Sequence, residues 1–460
     1  MSVPEWVQDA VFYQIFPDRF ARSRENIRPY LQPWGSTPTL TGFQGGDLRG
    51  VMERFDYLLD LGINAIYFNP IFQSSSTHRY NADDYYRIDD RLGSLADFRA
   101  LLNLAHRNGV RVILDGVFNH CGRGFFAFHD LVENGADSVY RDWFHVRRFP
   151  LRAYEPGKAR NYVGWWGYKS LPKFNTDTPQ VRRYLLDVAR FWIDEGIDGW
   201  RLDVPNEIDD DGFWAEFRQT VRAGNPQAYL LGEIWEPLPR WVGDEHFDGL
   251  MNYPLRTALL DLLTGRCTAQ VFGQRAEALL RLYPQENVRA MYVLLGSHDT
   301  ERIWTMAEGD LRKLQLAFAF QFAYPGAPAV YYGDEVGLAG GRDPQCRAAF
   351  PWDGPWNEAL RAWVKHLIAL RHVSPSLRRG DYRGLDCASS NCYAFLRSVE
   401  EETVLVVLNA SEQAQTLTLA APEQWPEGYQ PMDMLGGRAG RVMDGQVTLT
   451  LAAWGVVYLA

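Results

Sequence analysis

The sequence predicts an α/β protein built on a closed (β/α)8, or TIM, barrel, with an inserted subdomain after strand 3 and a C-terminal antiparallel β domain. Three observations carry this. Eight short apolar runs alternate with helical patterns up to residue 376, the alternation breaks between 122 and 177, and from 377 onward strand patterns follow one another without helices. The barrel is therefore assigned to residues 1–121 and 178–376, the insert to 122–177 and the β domain to 377–460.

Residues 10–16 read as a buried strand ending at Pro17. A helix is expected around 52–61, stopped by Gly62, and a second strand at 64–69. Ser94 with Asp97 three residues on reads as a capping box, and Leu95, Phe98, Leu102 and Ala105 form the apolar face of the helix that follows. The third strand covers 110–115; apolar strands separated by helices make a parallel sheet covered on its outside. The insert is rich in aromatic residues and glycine and too long for an ordinary connection. Beyond it, Val181, Tyr184, Leu185, Val188, Phe191 and Trp192 recur at helical spacing between Thr178-Pro179 and Gly196, and this helix feeds a very short strand at 199–203. Further strands are expected at 229–233, 248–251, 292–296 and 329–332, with helices at 212–223 and 357–373. The β domain is expected to hold strands at 392–398, 403–409, 416–419, 447–451 and 456–459.

The chain of 460 residues is 46% apolar, enough for a large core plus a second module. Its net charge of −10 is spread without a basic tract, which argues against nucleic acid or an anionic membrane as partner. No apolar run approaches the ~20 residues of a membrane span. The start of the chain lacks a charged and then apolar leader, and the five cysteines are odd in number and show no metal spacing, so free thiols in a reducing cytoplasm are expected. The aromatic share of 14% exceeds what a core alone needs and suits stacking on sugar-like ligands.

Chemistry is sought where the chain leaves barrel strands, because that rim is where the fold places it. Asp115, Asp203, Glu233 and Asp299 fall there. Four converging carboxylates repel one another unless neutralised, and Arg201, His120, His298 and His78 stand next to them in the sequence. Strand alternation points Arg201 and Asp203 to one side, a pairing that keeps a carboxylate ionised as a nucleophile, although taken alone such a pair is more often a structural ion pair.

The stretches Asp115-Gly-Val-Phe-Asn-His120, Gly199-Trp-Arg-Leu-Asp203, Gly232-Glu233-Ile-Trp235 and Ser297-His298-Asp299 resemble, in order and spacing, the four signature regions of the α-amylase family of glycoside hydrolases. Leu171-Pro-Lys-Phe-Asn175, Asn69-Pro-Ile-Phe72 and Gly333-Asp-Glu335 agree, and the likeness covers nearly the whole chain. The loop from Gly340 to Arg347 and the run Val204-Pro205-Asn206-Glu207 are similar to the neopullulanase, cyclomaltodextrinase and maltogenic amylase branch, although Pro205 stands where members usually carry Ala. Members of that branch often have an N-terminal β domain that helps build a dimer; here the first barrel strand comes almost at once, and a monomer or homodimer is expected.

The resemblance implies a retaining hydrolase of α-1,4, and also α-1,6, bonds in malto-oligosaccharides, cyclodextrins or pullulan, with an α-glucan oligosaccharide as partner. A glucanotransferase using the same chemistry is the alternative; a non-catalytic binding subunit would have lost one of the three acids present here. By resemblance Asp203 is the nucleophile, Glu233 the acid and later the base, and Asp299 the group that stabilises the oxocarbenium-like transition state. Arg201 is expected to hold Asp203 charged, and Glu233, between Leu231 and Ile234, to lie in an apolar setting that keeps it neutral. His120 and His298 are implied as partners of sugar hydroxyls, Tyr80 as a stacking ring, and His78, Glu207 and Arg347 as substrate contacts. Asp115 would orient its neighbours, while Trp235 and the Trp165-Trp166 pair would wall the acceptor side. No cofactor or catalytic metal is assigned. A structural calcium is left open through Asn119, which in some relatives helps ligate one, although no acidic cluster in the insert accompanies it.

Overall fold

The computed structural model describes residues 3–437 and 440–460. Eight parallel strands form the barrel: β1 (Phe12–Ile15), β2 (Ala65–Phe68), β3 (Arg111–Gly116), β4 (Gly199–Leu202), β5 (Tyr229–Gly232), β6 (Gly249–Leu250), β7 (Tyr292–Leu294) and β8 (Ala327–Tyr331). They pair in the order β6-β5-β4-β3-β2-β1-β8-β7, and a parallel bridge between Met251 and Tyr292 closes the ring. Their apolar character follows from burial on both faces. Phe12, Ala65, Tyr67, Ile113, Tyr229, Leu231, Tyr292 and Leu294 cluster inside the barrel. Their neighbours Tyr13, Ile66, Val112, Leu114, Trp200, Leu230 and Val293 belong to the larger core that includes the helices outside.

This alternation determines what reaches the rim. The inward parity of Phe12, Tyr67, Ile113, Gly199 and Leu231 continues to Gln14, Asn69, Asp115, Arg201 with Asp203, and Glu233. Each polar side chain thus emerges one step beyond an apolar plug. Register completes the placement: Asp115 lies opposite Arg201, and Leu202 opposite Gly232, so Asp203 and Glu233 stand side by side on neighbouring strands.

Ser94 and Asp97 make the expected capping box on the helix Leu95–Arg107, and Thr178 with Pro179 opens the helix Pro179–Asp194. The single helix expected at 52–61 is instead two, Leu48–Glu53 and Phe55–Leu61, broken at Arg54 (φ −108°, ψ 13°). A hairpin pairing Phe72–Ser74 with Ala82–Ile88, and the helix Phe126–Asn134 in the insert, have no counterpart in the sequence reading. The insert is otherwise tied down by bridges such as His120 with Lys173 and Gly164 with Pro172. Helices Tyr253–Leu263, Ala269–Leu280, Leu311–Ala323 and Glu358–Val373 complete the outer layer.

The C-terminal sheets contain β9 (Asp381–Leu385), β10 (Cys392–Ser398), β11 (Thr403–Asn409), β12 (Gln415–Ala420), β13 (Val442–Met443), β14 (Gln446–Leu451) and β15 (Val456–Leu459). A four-stranded sheet, β9-β10-β11-β15, and a three-stranded sheet, β12-β14-β13, share a core of Leu405, Val407, Leu417, Val447 and Leu451. The edge strands β9 and β13 escaped the sequence reading; β9 is partly exposed along its whole length and shows no apolar alternation. Among the described residues no helix is long and apolar enough to cross a membrane.

Candidate active site

A cleft of about 860 Å³ opens at the carboxyl ends of the strands, lined among others by Tyr80, His120, Asp203, Glu207, Glu233, Trp235, Asp299 and Arg347. Its floor is a buried ion cluster. The Arg201 guanidinium, fully buried, reaches three carboxylates at once: Asp115 at 2.8 Å, Asp203 at 3.0 Å and Glu233 at 2.9 Å. Asp115 also accepts from the hydroxyls of Tyr67 (2.6 Å) and Tyr80 (2.7 Å), which leaves it an orienting role below the cleft.

This corrects two expectations. Arg201 does not single out Asp203, and Glu233 is not in an apolar niche. Alternation sends Leu230 and Ile234 outward, so Glu233 meets the cation, the Val204 N–H (3.2 Å) and the Trp235 indole N–H (3.3 Å). Burial, with the Glu233 charge next, pushes Asp203 well above the usual carboxylate range against the pull of Arg201. Glu233 is raised too, by burial and then by Asp299, again opposed by Arg201. Two buried carboxyls beside one cation hold a proton between them more readily than either holds one alone.

Asp299 goes the other way. Desolvation would raise it, but His298 at 2.9 Å and Arg347 at 3.0 Å hold it well below the ordinary range. His298 is itself fixed from behind: the amide nitrogens of Gln14 (2.9 Å) and Asn69 (3.0 Å) meet Nδ1, which assigns the ring proton to Nε2, facing Asp299. Sequence reasoning gave Gln14 and Asn69 no role, although the same strand parity that found Asp115 and Glu233 would have found them. Arg347 is further held by the His298 carbonyl at 2.9 Å and by Asp343, which also lines the cleft.

Tyr80 packs flat on His298 (5.3 Å, 9°), with the His78 ring 6.0 Å away. Burial drives His78 down to about 4 and His120 to about 3, so both are neutral hydrogen-bonding groups near neutral pH. His120 Nδ1 faces the Asn119 amide nitrogen at 3.1 Å and its buried Nε2 has no partner among the described residues, a donor ready for a ligand oxygen. Trp235 lies flat on Tyr253 (3.7 Å, 6°), half-exposed at the rim. Glu207 lines the cleft while Lys173 donates to its carbonyl. All the residues singled out in the sequence therefore meet in or under one cleft. The Asn119 Oδ1 is buried without a partner, and among the described residues no group of three His, Cys, Asp or Glu stands together as a metal site.

Residues 14–366 match the model of the α-amylase catalytic domain, and residues 382–457 that of the maltogenic amylase C-terminal domain. The chain belongs to the α-amylase family. It is a glycosidase of that family. It is 46% identical to a cyclomaltodextrinase of Geobacillus thermopakistaniensis over 91% of this chain and 71% of the relative. It is 42% identical to neopullulanase 2 of Thermoactinomyces vulgaris over 98% of this chain and 77% of the relative. Among solved structures, the cyclic α-maltosyl-(1→6)-maltose hydrolase of Arthrobacter globiformis superposes with a TM-score of 0.90 at 39% identity, over the full length of both chains.

Proposed function

We propose that the chain hydrolyses α-1,4 and α-1,6 glucosidic bonds of short malto-oligosaccharides, cyclodextrins or pullulan with retention of configuration. The observation that carries this is the register of β4 and β5, which sets Asp203 beside Glu233 on adjacent strands with Arg201 touching both. Adjacent strands lie ~4.8 Å apart, which supports the close carboxyl pair, roughly 5–5.5 Å, of retaining enzymes over the wider pair that admits a water.

Asp203 attacks the anomeric carbon while Glu233 delivers its proton to the leaving oxygen; the glycosyl ester on Asp203 is then opened by water, whose proton returns to Glu233. The shared proton sits on Glu233 in the first step. Once Glu233 is neutral, the charge that most opposes ionisation of Asp203 is gone, and Arg201 at 3.0 Å holds Asp203 as the nucleophile. Asp299, ionised by His298 and Arg347, faces the developing positive charge of the sugar ring. The unpartnered Nε2–H of His120 and the ring of Tyr80 position the same sugar. No step needs a cofactor. The reading includes a cytoplasmic monomer or homodimer; the five free cysteines support the reducing location.

Chromatography of products from maltotriose, γ-cyclodextrin and pullulan tests the function. Glucose and maltose from the first two, with panose or smaller products from pullulan, are expected. An enzyme that leaves all three intact, or whose first-formed reducing ends are β by NMR, refutes it.

A further inference from the structure

A second hollow lies in the insert, behind the wall of the cleft. Its volume is about 310 Å³, and Arg148, Arg152, Lys158, Arg160 and Lys169 line it against the single carboxylate of Glu155. This concentration of positive charge occurs in a chain whose net charge is −10. Glu155 answers only Arg152, at 3.6 Å. Arg148, Lys158, Arg160 and Lys169 make no ion pair among the described residues.

Backbone contacts hold these cations together. The N–H groups of Arg147 and Arg148 both donate to the Asn161 carbonyl, at 2.7 and 3.1 Å, which brings the chain at Arg148 up to the chain at Arg160. The Lys169 ammonium donates to the carbonyls of Glu155 and Pro156 at 2.9 and 3.3 Å, and the Lys169 carbonyl accepts from the Tyr162 hydroxyl at 2.7 Å. Like charges gathered in a concavity repel one another and raise the local potential for an anion. Guanidinium forks meet phosphate oxygens two at a time, and an ammonium adds a point charge. The volume, at the low end for ligand pockets, suits a small molecule rather than a polymer.

The hollow shares a wall with the cleft. Trp166, Tyr168 and Ser170 line the cleft, whereas Lys169 between them lines the basic hollow. The Ala159 N–H, between Lys158 and Arg160, donates to the Gly167 carbonyl at 2.8 Å. A ligand that draws Lys158, Arg160 and Lys169 inward therefore acts on the strip that faces the substrate.

We propose that this hollow binds a phosphate group, free or carried by a small sugar as a monoester, and that its occupation steadies residues 166–170 of the cleft wall and so tightens binding of the glucan. The dianion supplies the counter-charge that Arg148, Arg160 and Lys169 lack. Free phosphate fills part of the volume, and a sugar phosphate fills more of it.

Titration calorimetry of the whole protein in phosphate-free buffer tests this, with inorganic phosphate and glucose 6-phosphate as probes. Both are expected to bind with Kd below about 1 mM and more weakly as NaCl is added. The double variant Arg148→Gln/Arg160→Gln, which alters two exposed side chains, binds both about tenfold or more weakly. A preference of about tenfold or more for glucose 6-phosphate assigns the ester as the ligand, and a smaller difference assigns free phosphate. The link to the cleft is read in an Asp203→Asn background, where turnover is suppressed. Saturating phosphate tightens maltotriose binding about threefold, maltotriose tightens phosphate binding by the same factor, and the two arginine substitutions abolish both shifts. No binding of either probe up to about 10 mM, or binding that the arginine substitutions leave unchanged, overturns the site. Heparin bound where neither small anion binds gives the patch to an extended polyanion and overturns it equally. Phosphate binding with maltotriose affinity unmoved overturns the link to the cleft.

Discussion

Replacing Arg201 by Met removes the one cation that Asp115, Asp203 and Glu233 share, at 2.8, 3.0 and 2.9 Å in a fully buried setting. Taking away one partner of a buried ion cluster leaves uncompensated charge and costs about 3–5 kcal/mol, a large part of the roughly 5–15 kcal/mol that holds a domain folded. The cost depends on pH with a definite sign. Without the cation the carboxyls bind protons more tightly in the folded protein than in the unfolded chain. Their protonation therefore stabilises the variant at low pH, and that stabilisation is lost as pH rises through the folded values. Guanidinium unfolding of variant and parent should show the full deficit near about pH 8 and a smaller one near about pH 5. Catalysis moves with it, because Asp203 must be ionised to attack. The acid limb of kcat/KM on maltotriose shifts to higher pH, and the plateau falls about 10²–10³-fold with the loss of the fixed charge. Arg201→Lys restores only part of this, since an ammonium has no planar fork with which to meet carboxylates on neighbouring strands. A deficit equal at both pH values, with an unmoved acid limb, would refute the account of Arg201.

Three further outcomes are expected. Asp203→Asn lowers kcat by at least about 10⁴-fold while maltotriose still binds by calorimetry; near-normal turnover removes Asp203 from the nucleophile role. Glu233→Gln keeps most of kcat/KM on α-maltosyl fluoride, which reports formation of the ester alone, and loses about 10²–10⁴-fold in kcat/KM on maltotriose, since only the sugar leaving group needs a proton; equal losses in kcat/KM contradict its role as acid. Glu335, fully buried and accepting from the hydroxyls of Tyr13 and Tyr57, is raised by burial, so its protonation stabilises the fold at low pH and that contribution fades as pH rises. Glu335→Gln keeps the acceptor without the charge and should narrow the gap between melting temperatures at about pH 5 and about pH 8; an unchanged gap places the pH dependence elsewhere.

Much of this architecture is written locally. Strands buried on both faces must be apolar on both faces, so all eight barrel strands stand out as short apolar runs, and the acids that end them mark the rim. Capping chemistry is local as well, which is why Ser94 and Asp97 were legible. Where burial gives no periodic signal the reading failed: the partly exposed edge strand β9 and the break of a helix at Arg54 depend on neighbours rather than on pattern.

The sequence by itself determined the inventory, namely a (β/α)8 barrel carrying Asp203, Glu233, Asp299 and their basic neighbours at strand ends, because side-chain alternation and strand polarity are properties of the chain. Only the tertiary structure decided how the charges are shared. Arg201 lies 86 residues from Asp115 and reaches Glu233 across a strand, so its three-way contact exists solely through the parallel register. The same holds for the amides of Gln14 and Asn69 behind His298, and for the stacked rings of His120, Trp165 and Trp166. Coulombic coupling and ring stacking act over a few ångströms in space, and distance in space between remote residues is fixed by the closed sheet.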